Sequence, residues 1–527
     1  MEIQWGVMNS EIELKLGVAP SAADKLARLP WLRESAGGVQ RRKLRSIYFD
    51  TRKLELHDCG VTIRVRDAEG KRLQTIKTAN GAGGSFERGE WEHEVSRDAP
   101  DLKLAKGTPL WPLARKRTKK LRRKLKPIFE TVVNRTIFPI RGDGADLELA
   151  LDRGHIRTRG ARRSEVISEI EVELKRGDPG ELAKIVKRLA RSVTVAYAPR
   201  SKAERGYALR CKTSDAAVHS SNIALDARST AGEAFRAIGF ACLEQVVANE
   251  RAVRHGDPEG FHQMRVGLRR LRAGLSIFKD MLRGAETEAL KRELKWLTEQ
   301  LRRARDLDVL IAERVQPLRG AEPVGADAGI LERDLAAQRK AGIEKAKAAV
   351  DGERYRAIGL KVALWLADGG WSHSNTATVK NRRDMPVAEF AATILAKRSK
   401  KVLKKARKVA ELDPQARHKL RIAAKKLRYA CEFFADAFPG VKRDARRQRM
   451  CKVLKSLQGS LGTLNDIEVH KQLATTIARS GKHSAFEPRK ALAMGFITGR
   501  EEKQVASCLA AVEKTADRLA ELPAYWE

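Results

Sequence analysis

Near residue 212 the hydrophobic period of this 527-residue chain changes, so one fold class cannot describe both parts. Up to that point, short segments alternate apolar and polar residues, as in Glu11 to Lys15, Val61 to Arg66 and Ile170 to Lys175. Such alternation puts successive side chains on opposite faces of a strand. Turn signals such as Asp67-Ala68-Glu69-Gly70 separate the segments, and Ser21 to Leu29 and Pro179 to Ala190 have helical spacing. A polar stretch, residues 213–229, reads as a linker. Beyond it apolar residues recur every three or four positions, which predicts helices throughout, with breaks near Pro317 to Gly329 and Gly369 to Pro386. The expected layout is an α+β domain over 8–212 and an all-α domain over 230–520, with lobes at about 230–370 and 386–520.

Charge narrows the partner. The chain has 105 Lys and Arg against 67 Asp and Glu, a net charge of +38, which suits a polyanion. Aromatic residues make up only 5%, which argues against nucleic acid read by base stacking. The six cysteines form no Cys-x-x-Cys pair and read as reduced thiols of a cytoplasmic protein. No signal peptide is expected, and no apolar run is long enough to predict a membrane span.

The alternating segments carry charge on one face. Glu11, Glu13 and Lys15 share a face, as do Arg64 and Arg66, Thr75 and Lys77, and Arg88, Glu90, Glu92 and Glu94. Glu148 and Asp152 follow, then Glu169, Glu171, Glu173 and Lys175. Any one such strand is commonly half of a one-sided solvated sheet. As a set they differ: carboxylates concentrate on the first and last strands and cations between. A closed barrel would bring both groups into one polar lumen. Carboxylates suit Mg²⁺ or Mn²⁺, and guanidinium and ammonium groups suit phosphate oxygens.

Glu11-Ile12-Glu13-Leu14-Lys15 resembles the Glu-x-Glu-x-Lys signature of the CYTH family, the triphosphate tunnel metalloenzymes. Further similar pieces follow in family order: Tyr48 to Thr51, Arg64-x-Arg66, Thr75-x-Lys77, Arg88-x-Glu90-x-Glu92, Arg135, Asp152, Glu169 to Lys175 and Ser201 to Tyr207. The resemblance implies an eight-stranded antiparallel tunnel that binds a triphosphate along its axis. It implies metal ligands at Glu11, Glu13, Asp152, Glu169 and Glu171, with Glu148 and Glu173 nearby. It implies phosphate contacts at Lys15, Arg64, Arg66, Lys77, Arg88, Arg135, Lys202 and Arg205. Glu11, Glu13 and Lys15 are the catalytic core of that reading, Glu92 and Glu94 equally suit pairing with arginines, and Tyr48 and Asp50 read as structural.

The helical part repeats itself. His262 to Arg272 matches His418 to Arg428 position by position, and Leu301 to Asp308 matches Leu461 to Glu468. At about 100° per residue, His262, Arg265, Arg269 and Arg272 fall on one stripe; His418, Arg421, Lys425 and Arg428 repeat it. Arg270 and Lys426 sit off it. Charge runs are usually solvated faces, but here the acids that would pair at i,i+4 are nearly absent. This part resembles the CHAD domain, a histidine-bearing α-helical domain, which implies two helical lobes that bind inorganic polyphosphate.

The sequence therefore points to a cytoplasmic hydrolase of inorganic triphosphate, using Mg²⁺ or Mn²⁺, joined to a polyphosphate-binding module and associated with polyphosphate granules. The alternatives are a tunnel acting on thiamine or nucleoside triphosphate, one cyclising ATP, and a non-catalytic polyphosphate-binding protein. No membrane partner is expected, and oligomeric state is not legible.

Overall fold

The structure, a computed structural model, describes residues 12–34, 37–78, 90–112, 121, 123–142, 144–160, 163–369, 371, 376–480 and 487–527. Glu11 and Arg88, both named above, lie outside the described residues. Among the described residues nine strands form one antiparallel sheet. They are β1 (Ile12–Val18), β2 (Gln40–Asp50), β3 (Val61–Ala68), β4 (Lys71–Thr78), β5 (Glu90–Glu94), β6 (Lys126–Gly142), β7 (Ala145–Thr158), β8 (Ser164–Gly177) and β9 (Val195–Tyr197). Their order is β5-β4-β3-β2-β6-β7-β8-β1-β9. The fold class is the expected one, with nine strands in place of eight. The three residues of β9 are too few for alternation to reveal, and they add to the edge of β1 by pairing with Leu16 to Val18.

Local chemistry explains the strand layout. Between β3 and β4, Glu69 and Gly70 both have positive φ (55° and 91°), as a two-residue hairpin turn with the twist of its strands requires. Alternation holds along the strands: Leu14 and Leu16 are buried beside half-exposed Glu13 and Lys15, and Val61, Ile63 and Val65 beside Thr62, Arg64 and Arg66. The sheet also curls. Lys15 on β1 is among the cations that depress the Lys77 pKa on β4. Those strands are six places apart in the order, ~29 Å on a flat sheet. A closed, lumen-like face is what brings them within electrostatic reach.

Two helices fit this sheet closely. The Pro179–Ser192 helix buries Leu182, Val186 and Leu189 and packs on β8. The Lys202–Cys211 helix opens with a capping box, Ser201 accepting from the Glu204 amide and Glu204 reaching back to the Ser201 amide. It packs on β6 and β7, with Tyr207 edge-on to Phe129 at 5.3 Å. A Cβ on Gly206 would lie 2.2 Å from the Phe129 ring, so glycine is what permits this approach.

The chain forms two compact units. The first holds the sheet, runs to Ala224 inside the polar stretch, and includes the later segments Gly239–Met264 and Gly352–His373. Within it the Glu353–Asp368 helix packs on the Pro179–Ser192 helix and on β9. The second unit is helical, with a core that includes Phe278 stacked on Phe390 at 4.9 Å and edge-on to Phe434 at 5.8 Å.

The repeated stripes fall on two helices of 20 residues each, Pro258–Ile277 and Pro414–Phe433, and Asp413 caps the latter through the Ala416 amide at 2.7 Å. The second repeated motif is built differently in its two copies. Arg305-Asp306 lies on the short Arg302–Leu310 helix, and Asn465-Asp466 lies inside the 40-residue Val441–Ser480 helix.

Candidate functional site

The strand register assembles the first site. Lys15 stands opposite Glu171, and Glu13 opposite Glu173. Glu173 is also opposite Glu148, and Asp152 is opposite Glu169. Arg135 on β6 faces Asp152 on β7. One row is thus Glu13–Glu173–Glu148, and another is Glu169–Asp152–Arg135. Like charges directly opposite each other destabilise a sheet unless cations intervene. Here they do: Lys15 lies 3.0 Å from Glu13, and Lys175 lies 2.5 Å from Glu173.

Asp152, Glu169 and Glu171 present oxygens that all lie within 4.8 Å of one another. Lys202, from the start of the capped helix, binds all three, at 2.7 Å to Asp152 and 2.9 Å to Glu171 and in a short contact with Glu169. Arg135 forks onto Asp152 with two bonds of 2.7 Å and also bonds Glu171. Arg205 joins Glu169 at 2.7 Å and Glu165 at 2.9 Å. Burial alone would push the Lys202 pKa down, but Glu171, Glu169 and Asp152 outweigh it and raise it. Burial likewise opposes the charge of Glu171, yet Lys15, Lys202 and Arg135 hold its carboxyl well below the usual range. Lys15 is pushed up to about 12 by Glu171 and Glu13 against its burial. Three hard oxygen donors gathered on a cation are the donor set a Mg²⁺ or Mn²⁺ ion takes, so these residues fit such an ion.

A cationic wall continues the site. Arg64 lies 3.6 Å from Glu90 and 3.9 Å from Glu92, and Lys77 contacts Glu90. Glu92 also accepts a 2.7 Å bond from Thr75. Glu90 and Glu92 therefore neutralise lumen cations in this structure. Arg66 is less compensated: burial and neighbouring Arg64 push its pKa down to about 10. Its Nε donates to Ser46 at 3.4 Å.

Tyr48, read from the sequence as structural, lies on this wall as well as packing on Phe129 at 4.5 Å. Burial raises its pKa, but Arg64, Arg66 and Lys202 overcome that and lower it. The signal was present in the register, since Tyr48 is paired with Arg64. Glu165 was also missed, although it shares the alternation of Glu169 and Glu171. Asp50 accepts from the amides of Leu56 and His57 and from the Tyr207 hydroxyl, which is a structural role.

In the helical unit, the stripe residues of the two repeats come together. Arg269 Nε donates to the Tyr429 hydroxyl at 2.7 Å. Lys425 is pushed down to about 7, first by burial and then by Arg421 and Arg269, one cation from each repeat. Burial also lowers the Arg421 pKa, with Asp466 opposing, and the buried Arg421 Nε has no hydrogen-bond partner. Asp466 acts on Lys425 as well, and among the described residues the ion pairs of the stripe lie toward its ends. Arg265 lies 3.2 Å from Asp306, and Arg428 contacts Glu432 and Gln458. Arg272 reaches Thr298 at 3.5 Å, and His418 Nδ1 is bonded to the Asn465 side chain. His262 belongs to the segment counted with the sheet unit, so in the second unit the first stripe begins at Arg265. Off the stripe, Arg270 lies over the Phe433 ring at 5.6 Å and Lys426 bonds Ser276 at 2.9 Å.

Comparison with known proteins agrees with this layout. Residues 9–207 match the CYTH domain family and residues 237–475 the CHAD domain family. The chain thus carries a CYTH domain followed by a CHAD domain. An inorganic triphosphatase of Haemophilus influenzae is 30% identical over 213 residues, covering 39% of this chain. The match spans 56% of that relative's length, little more than half. Among solved structures, the CHAD domain of Ricinus communis is 31% identical with a TM-score of 0.49, covering 59% of this chain and 98% of that one. A putative adenylyl cyclase from Hippeastrum, described as having a dominant triphosphatase activity, is 18% identical with a TM-score of 0.28, covering 38% of this chain and 95% of that one. Among the described residues no helix is long and apolar enough to cross a membrane.

Proposed function

We propose that the sheet unit hydrolyses inorganic triphosphate to diphosphate and phosphate with a bound Mg²⁺ or Mn²⁺, and that the helical unit binds inorganic polyphosphate. The observation that carries the first part is the convergence of Asp152, Glu169 and Glu171 on one cation, inside a wall of Arg and Lys. Those three carboxylates would hold the ion, with Glu11, Glu13, Glu148 and Glu173 as further ligands. Bound there, the ion supplies charge neutralisation for the triphosphate and an acidified water for attack. Lys15, Arg64, Arg66, Lys77 and Arg135 grip phosphate oxygens, as does Arg88 on the family resemblance. Arg135, already forked onto Asp152, holds the carboxylates in place and presents fixed charge to the developing negative oxygens. Lys202 and Arg205 bring two more cations from the capped helix. Water attack in line needs no side-chain nucleophile.

The stripe of Arg265, Arg269, Arg272, Arg421, Lys425 and Arg428, with His418 as a hydrogen-bonding partner, takes the longer polyanion. Lys425, where Asp466 is outweighed by burial and by Arg421 and Arg269, supports this reading, because a bound anion removes the cost of charging it. Tethering to polyphosphate raises the local supply of phosphoanhydride and holds the protein at cytoplasmic polyphosphate granules.

The test is phosphate release by the full chain from triphosphate, ATP and thiamine triphosphate, with Mg²⁺ and with Mn²⁺, beside Glu13→Ala. Preference for triphosphate that the variant loses supports the reading. Preference for ATP or thiamine triphosphate replaces it with a nucleotide- or thiamine-directed tunnel, and unchanged activity in Glu13→Ala removes the site.

A further inference from the structure

A second chemistry lies in the helical unit, away from the stripe. Cys431, near the end of the Pro414–Phe433 helix, is fully buried. Its Sγ lies 3.9 Å from Met450 Sδ. Cys451 is the next residue along on the packed Val441–Ser480 helix, and it is only half-buried. The two thiols interact directly, and that interaction is the largest influence on both: it raises the pKa of Cys431 and lowers that of Cys451. Burial and Glu432 oppose a thiolate there, and Arg447, one turn before Cys451 and held by Asp444 at 3.0 Å, together with Arg428 works with the Cys431 thiol in its favour.

Tyr525, 1% exposed, brings a buried hydroxyl that lacks a hydrogen-bond partner of good geometry and has Cys431 as its main neighbour after burial. A buried donor left unmet is costly, and such groups call for an explanation. An oxygen added to sulfur at this place would accept from it.

We propose that Cys431 and Cys451 form a reversible disulfide between the two helices when the protein meets a hydroperoxide, with Cys451 as the attacking sulfur and Cys431 as the resolving one. The Cys451 thiolate attacks the peroxide oxygen, the O–O bond breaks, and the departing hydroxide takes up a proton to leave as water. Cys451 is then a sulfenic acid beside the Cys431 thiol, with Tyr525 next to Cys431. The Cys431 sulfur attacks the Cys451 sulfur, the S–O bond breaks, and the Cys431 proton leaves with the hydroxide as a second water. The two thiols are oxidised by two electrons and one peroxide is reduced. A dithiol reverses the bond by exchange. The cross-link would tie together, near one end, the two helices that the His418–Asn465 bond joins further along.

The experiment treats the full chain with hydrogen peroxide, blocks the remaining thiols, and maps peptides without reduction. We expect a Cys431–Cys451 cross-linked peptide to appear before oxidation of exposed Cys59 and Cys211, and dithiothreitol to remove it. Cys431→Ser is expected to leave Cys451 as a sulfenic acid that dimedone traps. Tyr525→Phe is expected to slow the cross-link several-fold with the fold retained. The proposal is overturned if Cys431 and Cys451 are both recovered as free thiols while Cys59 and Cys211 oxidise. It is overturned equally if Cys451 proceeds to sulfinic acid without joining Cys431.

Discussion

The lumen and the stripe are both rich in cations, yet the carboxylate cluster of the one and the centre of the other hold that charge in opposite ways. In the lumen, Lys15, Arg135, Lys202 and Arg205 each touch at least one carboxylate, and burial is outweighed by those partners for Lys15, Arg135 and Lys202. At the centre of the stripe, Lys425 meets more cations than acids, and burial wins. The difference follows from what each place is proposed to bind. A metal-borne triphosphate needs oxygen ligands and cations interleaved at fixed spacing. A long polyanion brings its own negative charge, so the protein leaves the cations waiting.

This comparison can be broken most forcefully through stability. Asp152 is fully buried between Arg135 and Lys202, so Asp152→Ala leaves two cations short of a partner. We expect it to lose about 3–5 kcal/mol of unfolding free energy in denaturant titration. Lys425→Met, by contrast, removes an ill-compensated charge, and in the absence of polyanion we expect a gain of about 1 kcal/mol. Equal signs for the two variants would end the distinction.

The pH dependence sharpens the same point. Lys425 is held near 7 in the folded chain against an ordinary 10.5. Between those values the unfolded chain binds the proton and the folded chain does not, so this group's contribution makes stability rise with pH across that window. Polyphosphate binding runs the other way, because the protonated form attracts the anion. Affinity measured by calorimetry at fixed salt should fall several-fold from pH 6 to pH 8, with proton uptake on binding near neutrality. In Lys425→Arg, whose charge persists, that fall should shrink. A flat profile in the unaltered protein would show that Lys425 does not meet the anion.

A smaller effect concerns the capped helix that delivers Lys202 and Arg205. Ser201→Ala removes the side-chain cap and should cost about 1 kcal/mol. Hydrolysis should fall only modestly, since the Arg135 fork is untouched. A loss as large as that of a carboxylate variant would mean the helix does more than present two cations.

Much of the lumen was legible because a strand's period of two is rigid. Once Glu13, Lys15, Glu169 and Glu171 were assigned to strands, their shared faces followed, and the register confirms their alignment. Cross-strand neighbours were harder to read. Tyr48 reads as structural in the sequence, whereas pairing puts it beside Arg64. Glu90 and Glu92 could not be divided between binding and neutralising without knowing that Arg64 and Lys77 lie within their reach. On the helices, the wheel gave the stripes but not their meeting, because the approach of Lys425 to Arg269 depends on tertiary packing. Near-absence of i,i+4 acids was also an incomplete guide: Arg428 does find Glu432 four residues on, and Arg265 finds Asp306 from another helix.

The central claim is that hydrolysis and polyanion binding reside on different cationic surfaces of one chain. Its most direct test measures triphosphate hydrolysis with Mg²⁺ or Mn²⁺ and polyphosphate binding on the same preparations of Glu171→Gln and Lys425→Met. The account predicts that Glu171→Gln loses about 10²–10³-fold of its hydrolysis while binding polyphosphate normally, and that Lys425→Met binds weakly while hydrolysing triphosphate at the full rate. Undiminished hydrolysis by a folded Glu171→Gln chain, or loss of both activities together in Lys425→Met, would contradict it.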